Sequence, residues 1–582
     1  MVHFVLTLVL LCSPAALTPL ARCAAVASPR DPATVASPDA ATIGARIDRY
    51  LSAMEAFGFS GSILVAHEGE VVLRAGYGLA DREARRPCTP ETVQSHGSIT
   101  KQMTAAAILL LEQRGELSVD DTLDRFFDDV PADKRTITLH QLLTHTAGLH
   151  GGIGSDEDPI GADAYVARAL AEPLARAPGT DYGYSNMGYS LLGIVVERVS
   201  GQDYEQFLRE ELLLPAGMRD TGYVLPAWNE DRLAKGYHRG EPWGRVYGRG
   251  WRDDGPGWPL RANGGIHTTV DDMYRWLNTV RGEGALDAET ARRWTTGVVD
   301  QGYAYGWVER DTEWGTMISH SGSNRIFSAD YVWLPEIEFF VYIQGNTSTV
   351  PADRQRGRLL DAAFDPAFSM PPLVDPADDA RPEVAAERVG TYRLGEGSLE
   401  VTADDTRLIA KLWGQSTLDL LFDSTHAQRA RAGELNGRVR EAMEGLEAGR
   451  EDAIATLIGP DEDAVEATRP FLQRIEQIGD LEELHVIGSF ENTPGSRLAQ
   501  YGPWTTFVYA EFANWNQYWN LIWNEDGTHR GNASGPWPSF TLVPVGEGRY
   551  RAVQQETPWR TVDLRFEDGC LVVGTQRACP EE

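Results

Sequence analysis

Apolar residues recur at helical spacing over residues 43–54, where Ile43, Ile47, Leu51 and Met54 share one face. The pattern predicts an amphipathic helix. Two β-rich runs follow at 61–66 and 71–75, joined by His67-Glu68-Gly69-Glu70, and they predict a hairpin. Residues 103–111 are almost continuously apolar within a run from Gln102 to Gly115. A helix buried on every side and stopped at Gly115 fits that run. A further apolar helix is expected at 191–199 and an apolar strand at 331–334. This mixed α/β region reaches about residue 368. Proline and aspartate without apolar periodicity then fill residues 370–382, the best domain boundary in the chain.

Beyond the boundary the pattern becomes one of short strands, at 389–394, 398–401 and 408–412. Residues 430–478 are charged and helical in pattern. Residues 505–512 and 515–523 read as a hairpin, followed by a turn at Glu525-Asp526-Gly527. Strands resume at 540–543, 549–553 and 562–566. The expected organisation is a catalytic α/β (α+β) unit over 42–368, a linker over 369–385, and a β-rich accessory domain over 386–582 with an α+β insert near 430–530.

The N-terminus changes the picture of where the protein works. A short apolar run over residues 4–12 precedes the small-x-small pattern Ala25-Val26-Ala27, which reads as a signal peptide over 1–27 followed by a Pro/Ala/Ser-rich linker over 28–41. No other stretch approaches the ~20 apolar residues of a spanning helix. An exported protein, periplasmic or secreted and without stable membrane insertion after cleavage, is expected. Export permits disulfides. Cys570 and Cys579 flank Leu571-Val572-Val573 and are expected to bridge, while Cys88 reads as a buried structural thiol. The 582 residues carry 85 acidic and 53 basic side chains, a net charge of -32. That balance repels phosphate backbones and excludes nucleic acid as a partner. Only four basic residues are lysine, namely Lys101, Lys134, Lys235 and Lys411, so each is worth testing for work that arginine cannot do.

No P-loop, H-E-x-x-H, C-x-x-C or G-x-S-x-G is present, so nucleotide, metal and α/β-hydrolase chemistry has no anchor here. What is present is Ser98-Ile99-Thr100-Lys101, opening the buried helix. Positions i and i+3 share a helix face. Serine needs a base to become a nucleophile. Lysine serves as that base only when neutral, and the first turn of a buried helix depresses its pKa. Arginine, with its far higher pKa, could not take the part. Downstream lie Tyr184-Ser185-Asn186 and His320-Ser321-Gly322-Ser323.

In that order, S-x-x-K, Y-x-N and H-x-G resemble the serine β-lactamase and penicillin-binding-protein superfamily. The likeness is closest to the class C branch that includes D,D-carboxypeptidases, D-aminopeptidases and esterases. Residues 142–149, Leu-Leu-Thr-His-Thr-Ala-Gly-Leu, and 262–269, Ala-Asn-Gly-Gly-Ile-His-Thr-Thr, followed by Asp272-Met273, look like two further segments of that family. The resemblance covers about 42–368. It implies an antiparallel sheet flanked by helices and no cofactor or metal. It makes Ser98 the acylated nucleophile, Lys101 the group that holds and deprotonates it, and Tyr184 the general base or its relay. Asn186 would bind the substrate amide or Lys101. The N–H groups of Ser98 and Ser323 would form the oxyanion hole, with Gly322 admitting the substrate backbone to the strand edge. His320 stands where dedicated β-lactamases usually place lysine. A histidine offers only a conditional charge, so activity on carboxylate-bearing substrates is expected to fall as pH rises through its titration. His145 and His267 look structural.

Peptide-like D-amino-acid amides, including fragments derived from peptidoglycan, are the first substrate class this implies. Esters on the same site are the second. A catalytically inactive peptidoglycan-binding homologue is the third reading, for which Trp504, Trp515, Trp519, Trp523 and Trp537 could form a carbohydrate platform. Those tryptophans more simply supply the core of a sheet. The strands around them resemble a lipocalin-like barrel appended to many such hydrolases.

Overall fold

A computed structural model of the chain describes residues 38–238, 240–374, 381–422, 424–447, 481–492, 502–512, 515–533, 538–546, 548–554 and 560–580. The expected signal peptide, most of the linker after it, Trp537 and residues 448–478 of the expected charged helix lie outside them. The chain divides into two compact units between Phe368 and Ser369.

In the first unit, helix α1 (Ala40–Ala56) starts where the Asp39 carboxylate accepts the Thr42 N–H at 2.8 Å, satisfying one orphan donor of the first turn. It buries Ile43, Ile47, Leu51 and Met54, the face its periodicity predicts. Strands β1 (Gly61–His67) and β2 (Glu70–Tyr77) form the predicted hairpin. Helices α2 (Thr100–Gln113) and α3 (Asn186–Ser200) pack against each other. Every residue of α2 from Thr100 to Leu111 is buried, as its continuous apolar run requires.

Strands β3 (Val308–Thr312), β4 (Gly315–Asn324), β5 (Phe327–Leu334) and β6 (Phe339–Gly345) complete a six-stranded antiparallel sheet in the order β2-β1-β6-β5-β4-β3. The last strand pairs with the first, Gly61 opposite Gly345 and His67 opposite Phe339. The two ends of the unit therefore meet in the sheet. Helix α4 (Arg356–Phe364) packs on α1. β3 pairs with β4 only as far as Ser319 opposite Val308. Beyond that point β4 has β5 on one side and, among the described residues, no strand on the other. This open stretch, His320–Asn324, is where the candidate site forms.

The second unit is built on a closed eight-stranded barrel from Gly390–Leu394 to Gln576–Pro580, with first and last strands paired at Arg393 and Cys579. Inward positions alternate along the strands, as Leu399 and Val401 or Leu408, Ala410 and Leu412 show. Cys570 and Cys579 are joined by a disulfide across the last two strands. Cys88, in the first unit, is buried and free. Between the barrel strands that end at Trp413 and begin at Ser539 lie helices Gln415–Phe422 and His426–Glu447 and a four-stranded sheet. The insertion is thus wider than the expected 430–530. Trp504, Trp519 and Trp523 are buried in it, and the Trp523 indole donates to Thr506 Oγ1 at 2.8 Å. These three rings are core, whereas the side chains of Trp515 and Trp537, the other two of the five, lie outside the described residues. Among the described residues no helix is long and apolar enough to cross a membrane.

Candidate active site

The turn carrying Ser98 is built by two glycines. Residues Gln94–Ser95 pair with His267–Thr268, and a 3₁₀ turn, Gly97–Ile99, then feeds α2. Gly97 has φ +56°, a left-handed conformation that disfavours a side chain, and a Cβ there would lie 2.5 Å from Ser323 N. A Cβ at Gly322 would lie 1.9 Å from His96 O and 2.8 Å from Ser98 N. The backbones of turn and strand β4 are therefore in direct contact. That contact brings the N–H groups of Ser98 and Ser323 to one junction.

Lys101 follows in the first turn of α2 and is 0% exposed. Its Nζ lies 3.1 Å from Ser98 Oγ and donates to the Asn263 carbonyl at 2.7 Å. The other three lysines each lie within salt-bridge distance of a carboxylate, Asp133, Asp81 with Glu83, or Glu400. The hydrogen-bond partners of Lys101 are neutral oxygens. Burial holds its pKa well below the ordinary lysine value, and the charge of Asp156 opposes this only in part. Asn263 is itself fixed, its Nδ2 donating to Ser190 Oγ at 2.9 Å and to the Pro259 carbonyl at 2.8 Å.

Tyr184 precedes α3. The residue is 38% exposed, but its hydroxyl turns inward onto Ser98, and Lys101 Nζ lies 4.9 Å from its ring centroid. Burial raises the phenol above its ordinary pKa, with the Ser98 contact opposing. At rest the group is a phenol. Asn186 is the first residue of α3. Its backbone N–H donates to the Gly151 carbonyl at 2.6 Å, and its side-chain Oδ1 is buried with no partner among the described residues. That acceptor is left for a donor from outside.

His320 is buried on β4. Its Nδ1 donates to the Ser321 carbonyl at 2.7 Å, and its Nε2 lies 3.2 Å from the Tyr303 hydroxyl. The carbonyl partner places a proton on Nδ1. Burial lowers its pKa below the ordinary histidine value. Burial thus favours the neutral ring over the charge expected to fade through the usual histidine range, and the pH profile described below tests which form is present. Gly322 and Ser323 sit at the junction described above, Gly322 opposite Ala329 and Ser323 opposite Ser328.

One contributor escaped the sequence reading, the Asn263 carbonyl, a main-chain group in the Ala-Asn-Gly-Gly segment. His145, read from the sequence as a structural residue holding a loop, lies against Tyr184 with ring centroids 4.3 Å apart. His267 lies further back, its Nδ1 donating to the Gly265 carbonyl at 3.0 Å. Among the described residues no group of three or more His, Cys, Asp or Glu side chains is placed to hold a metal ion.

Comparison with known proteins follows the same outline. The family model described as Beta-lactamase matches residues 52–364, more than half of the chain. The chain belongs to the beta-lactamase family. This beta-lactamase-family chain is 32% identical over 317 residues to esterase EstB of Burkholderia gladioli, covering 47% of the present chain and 80% of the esterase. It is 26% identical over 414 residues to penicillin-binding protein 4* of Bacillus subtilis (strain 168), covering 63% and 86% respectively. The solved structure of an octameric penicillin-binding protein homologue from Pyrococcus abyssi aligns with a TM-score of 0.49 at 18% identity, over 92% of this chain and 99% of that one.

Proposed function

We propose that this protein is an exported serine hydrolase that forms an acyl-enzyme on Ser98 and acts on uncharged esters and amides. The observation that carries the reading is the buried Lys101 amine 3.1 Å from Ser98 Oγ, with the Tyr184 hydroxyl turned onto the same serine. With Lys101 unprotonated, the Ser98 hydroxyl donates its proton to the Nζ lone pair. Ser98 Oγ then bonds to the acyl carbon, and the carbonyl oxygen takes the negative charge between the N–H groups of Ser98 and Ser323. The proton passes from Lys101, directly or through the Tyr184 hydroxyl, to the departing oxygen or nitrogen. The bond to the leaving group breaks and the acyl group stays on Ser98. Water reverses the route: its proton goes to the same pair, its oxygen joins the acyl carbon, and Ser98 recovers its hydrogen. Lys101 and Tyr184 act as one coupled unit in both halves.

Esters come first because His320 supplies no positive charge to fix a substrate carboxylate, and one relative is an esterase. A second reading, D-amino-acid peptide amides, is favoured by the open edge of β4 over His320–Asn324. An extended peptide backbone could dock there beside the buried acceptor of Asn186. The signal-like residues 1–27 support export. An inactive binding homologue is disfavoured by the assembled site and by the burial of Trp504, Trp519 and Trp523.

A fluorophosphonate probe followed by intact mass tests the nucleophile. The wild type is expected to gain one adduct and Ser98→Ala none. No adduct on the wild type, or one that survives Ser98→Ala, refutes the assignment. The ratio of rates on a carboxylate-bearing and an uncharged ester is expected to stay flat between about pH 5 and pH 8. A ratio that declines through that window would show that the imidazole of His320 carries charge after all. A panel of short-chain esters, D-amino-acid amides and a chromogenic cephalosporin ranks the substrate classes.

A further inference from the structure

The segment that carries Tyr184 and Asn186 is held from one side. Gly183 N–H donates to the His145 carbonyl at 2.8 Å, and Ser185 N–H donates to His145 Nδ1 at 3.1 Å. Ser185 Oγ donates to the His150 carbonyl at 2.6 Å, and Asn186 N–H to the Gly151 carbonyl at 2.6 Å. Two of the four bonds end on one residue, one on its main chain and one on its ring. His145 makes both from a backbone at φ +60°, a left-handed conformation uncommon outside glycine.

The ring's chemistry is fixed by the same bonds. Since Nδ1 accepts from a peptide N–H, it holds a lone pair, and the proton must sit on Nε2. Nε2 is buried and has no partner among the described residues. Its surroundings are aromatic: Tyr184, Tyr303, Tyr189 and Tyr182, with ring centroids 4.3, 4.6, 5.1 and 5.8 Å away. The only basic lone pair of the imidazole is therefore occupied, and it faces Ser185 rather than the reacting groups. A histidine so placed cannot compete with Lys101 for the proton of Ser98. Burial also lowers its pKa well below the ordinary histidine value.

We propose that His145 is the positioning residue of this site: through the Ser185 N–H and the Gly183 N–H it aims Tyr184 and Asn186 at Ser98, while its tautomer keeps it out of the proton transfer. The inference rests on the reading of Ser98 as the acylated nucleophile, and it adds a residue that acts through Tyr184 without touching substrate.

Two substitutions separate acceptor from shape. His145→Asn keeps an acceptor near the position of Nδ1, and His145→Phe keeps the ring and removes the acceptor. In the full-length protein His145→Phe is expected to slow fluorophosphonate labelling and kcat on a short-chain ester by about 10–100-fold, with KM changed less than about threefold. His145→Asn is expected to stay within about threefold of wild type. Thermal midpoints are measured for both. Wild-type labelling with His145→Phe labelled equally fast overturns this inference alone, whereas an unlabelled wild type overturns the nucleophile reading beneath it. Equal impairment of both variants at an unchanged midpoint also overturns it, since ring packing would then be the whole effect. Should His145→Phe not fold, histidine-selective ¹⁵N labelling of the wild type still decides, with His145→Asn assigning the signal. A signal with Nδ1 bare and Nε2 protonated from about pH 5 to pH 9 is expected, and a titration in that range refutes the tautomer.

Discussion

Lys101→Arg is expected to lower acylation of Ser98 by roughly 10³-fold or more, as removal of a member of a nucleophile–base unit does elsewhere. Arginine keeps its proton and has no lone pair to offer. It would also place a fixed charge where Lys101 now meets neutral oxygens, Ser98 Oγ and the Asn263 carbonyl. Lys101→Met should be equally inactive but more stable than the wild type near neutral pH. The reason is a linkage whose sign is set by burial. The unfolded chain holds the lysine proton up to the ordinary value of 10.5, while the folded chain releases it well below. Between those two values the unfolded state binds more protons, so wild-type stability rises with pH across that window. The cost of burying the lysine is full below the folded value and gone above 10.5. The thermal advantage of Lys101→Met should therefore shrink as pH approaches 10.5. Melts of wild type and Lys101→Met at a series of pH values check this. An unchanged or lowered midpoint at neutral pH would show that the amine is not paying for its burial.

Gly322→Ala is expected to cost at least about 100-fold in acylation rate, because displacing a reacting group by about 1 Å is enough for that. The added methyl would meet His96 O at 1.9 Å and Ser98 N at 2.8 Å, both main-chain atoms that cannot swing aside. The turn carrying the nucleophile must move away from β4, and the two N–H groups proposed for the oxyanion separate. Stability should fall by about 1–3 kcal/mol, as for other overpacked sites. Gly357→Ala on α4 is the control. Nothing lies within 4 Å of its added Cβ, and helix propensity makes the change neutral or stabilising by up to about 1 kcal/mol. Probe-labelling rates and thermal melts of both variants compare the two glycines. Gly322→Ala acylating at the wild-type rate would mean that the junction can open without disturbing the site.

How much of this was legible along the chain depended on distance in sequence. Ser98 and Lys101 are three residues apart on one helix, so their meeting was readable from helical geometry. The continuous apolar run behind them already said that the helix, and Lys101 with it, is buried. The barrel strands were readable where alternation was regular, as over Gly397–Asp404. The insertion began earlier than its charged helix suggested, because the helix Gln415–Phe422 is too short to stand out in a pattern. The tryptophans of the insertion allowed a surface platform or a core, and for Trp504, Trp519 and Trp523 only their burial distinguished the two.

Other features had no local signature. The Asn263 carbonyl is a main-chain atom, and any residue carries one. His145 was visible as a residue, but not as the acceptor for a peptide N–H forty positions away. His320 was visible too, but its burial was not, and protonation depends on solvent access and neighbours that belong to other segments. The sequence by itself determined the residue types, their order, the local helix that pairs serine with lysine, and membership of a family. The tertiary structure decided which groups are neutral, which backbone amides converge, and which strand edge stays open. Those properties come from desolvation and close backbone contact, and both are produced by chain segments far apart in sequence.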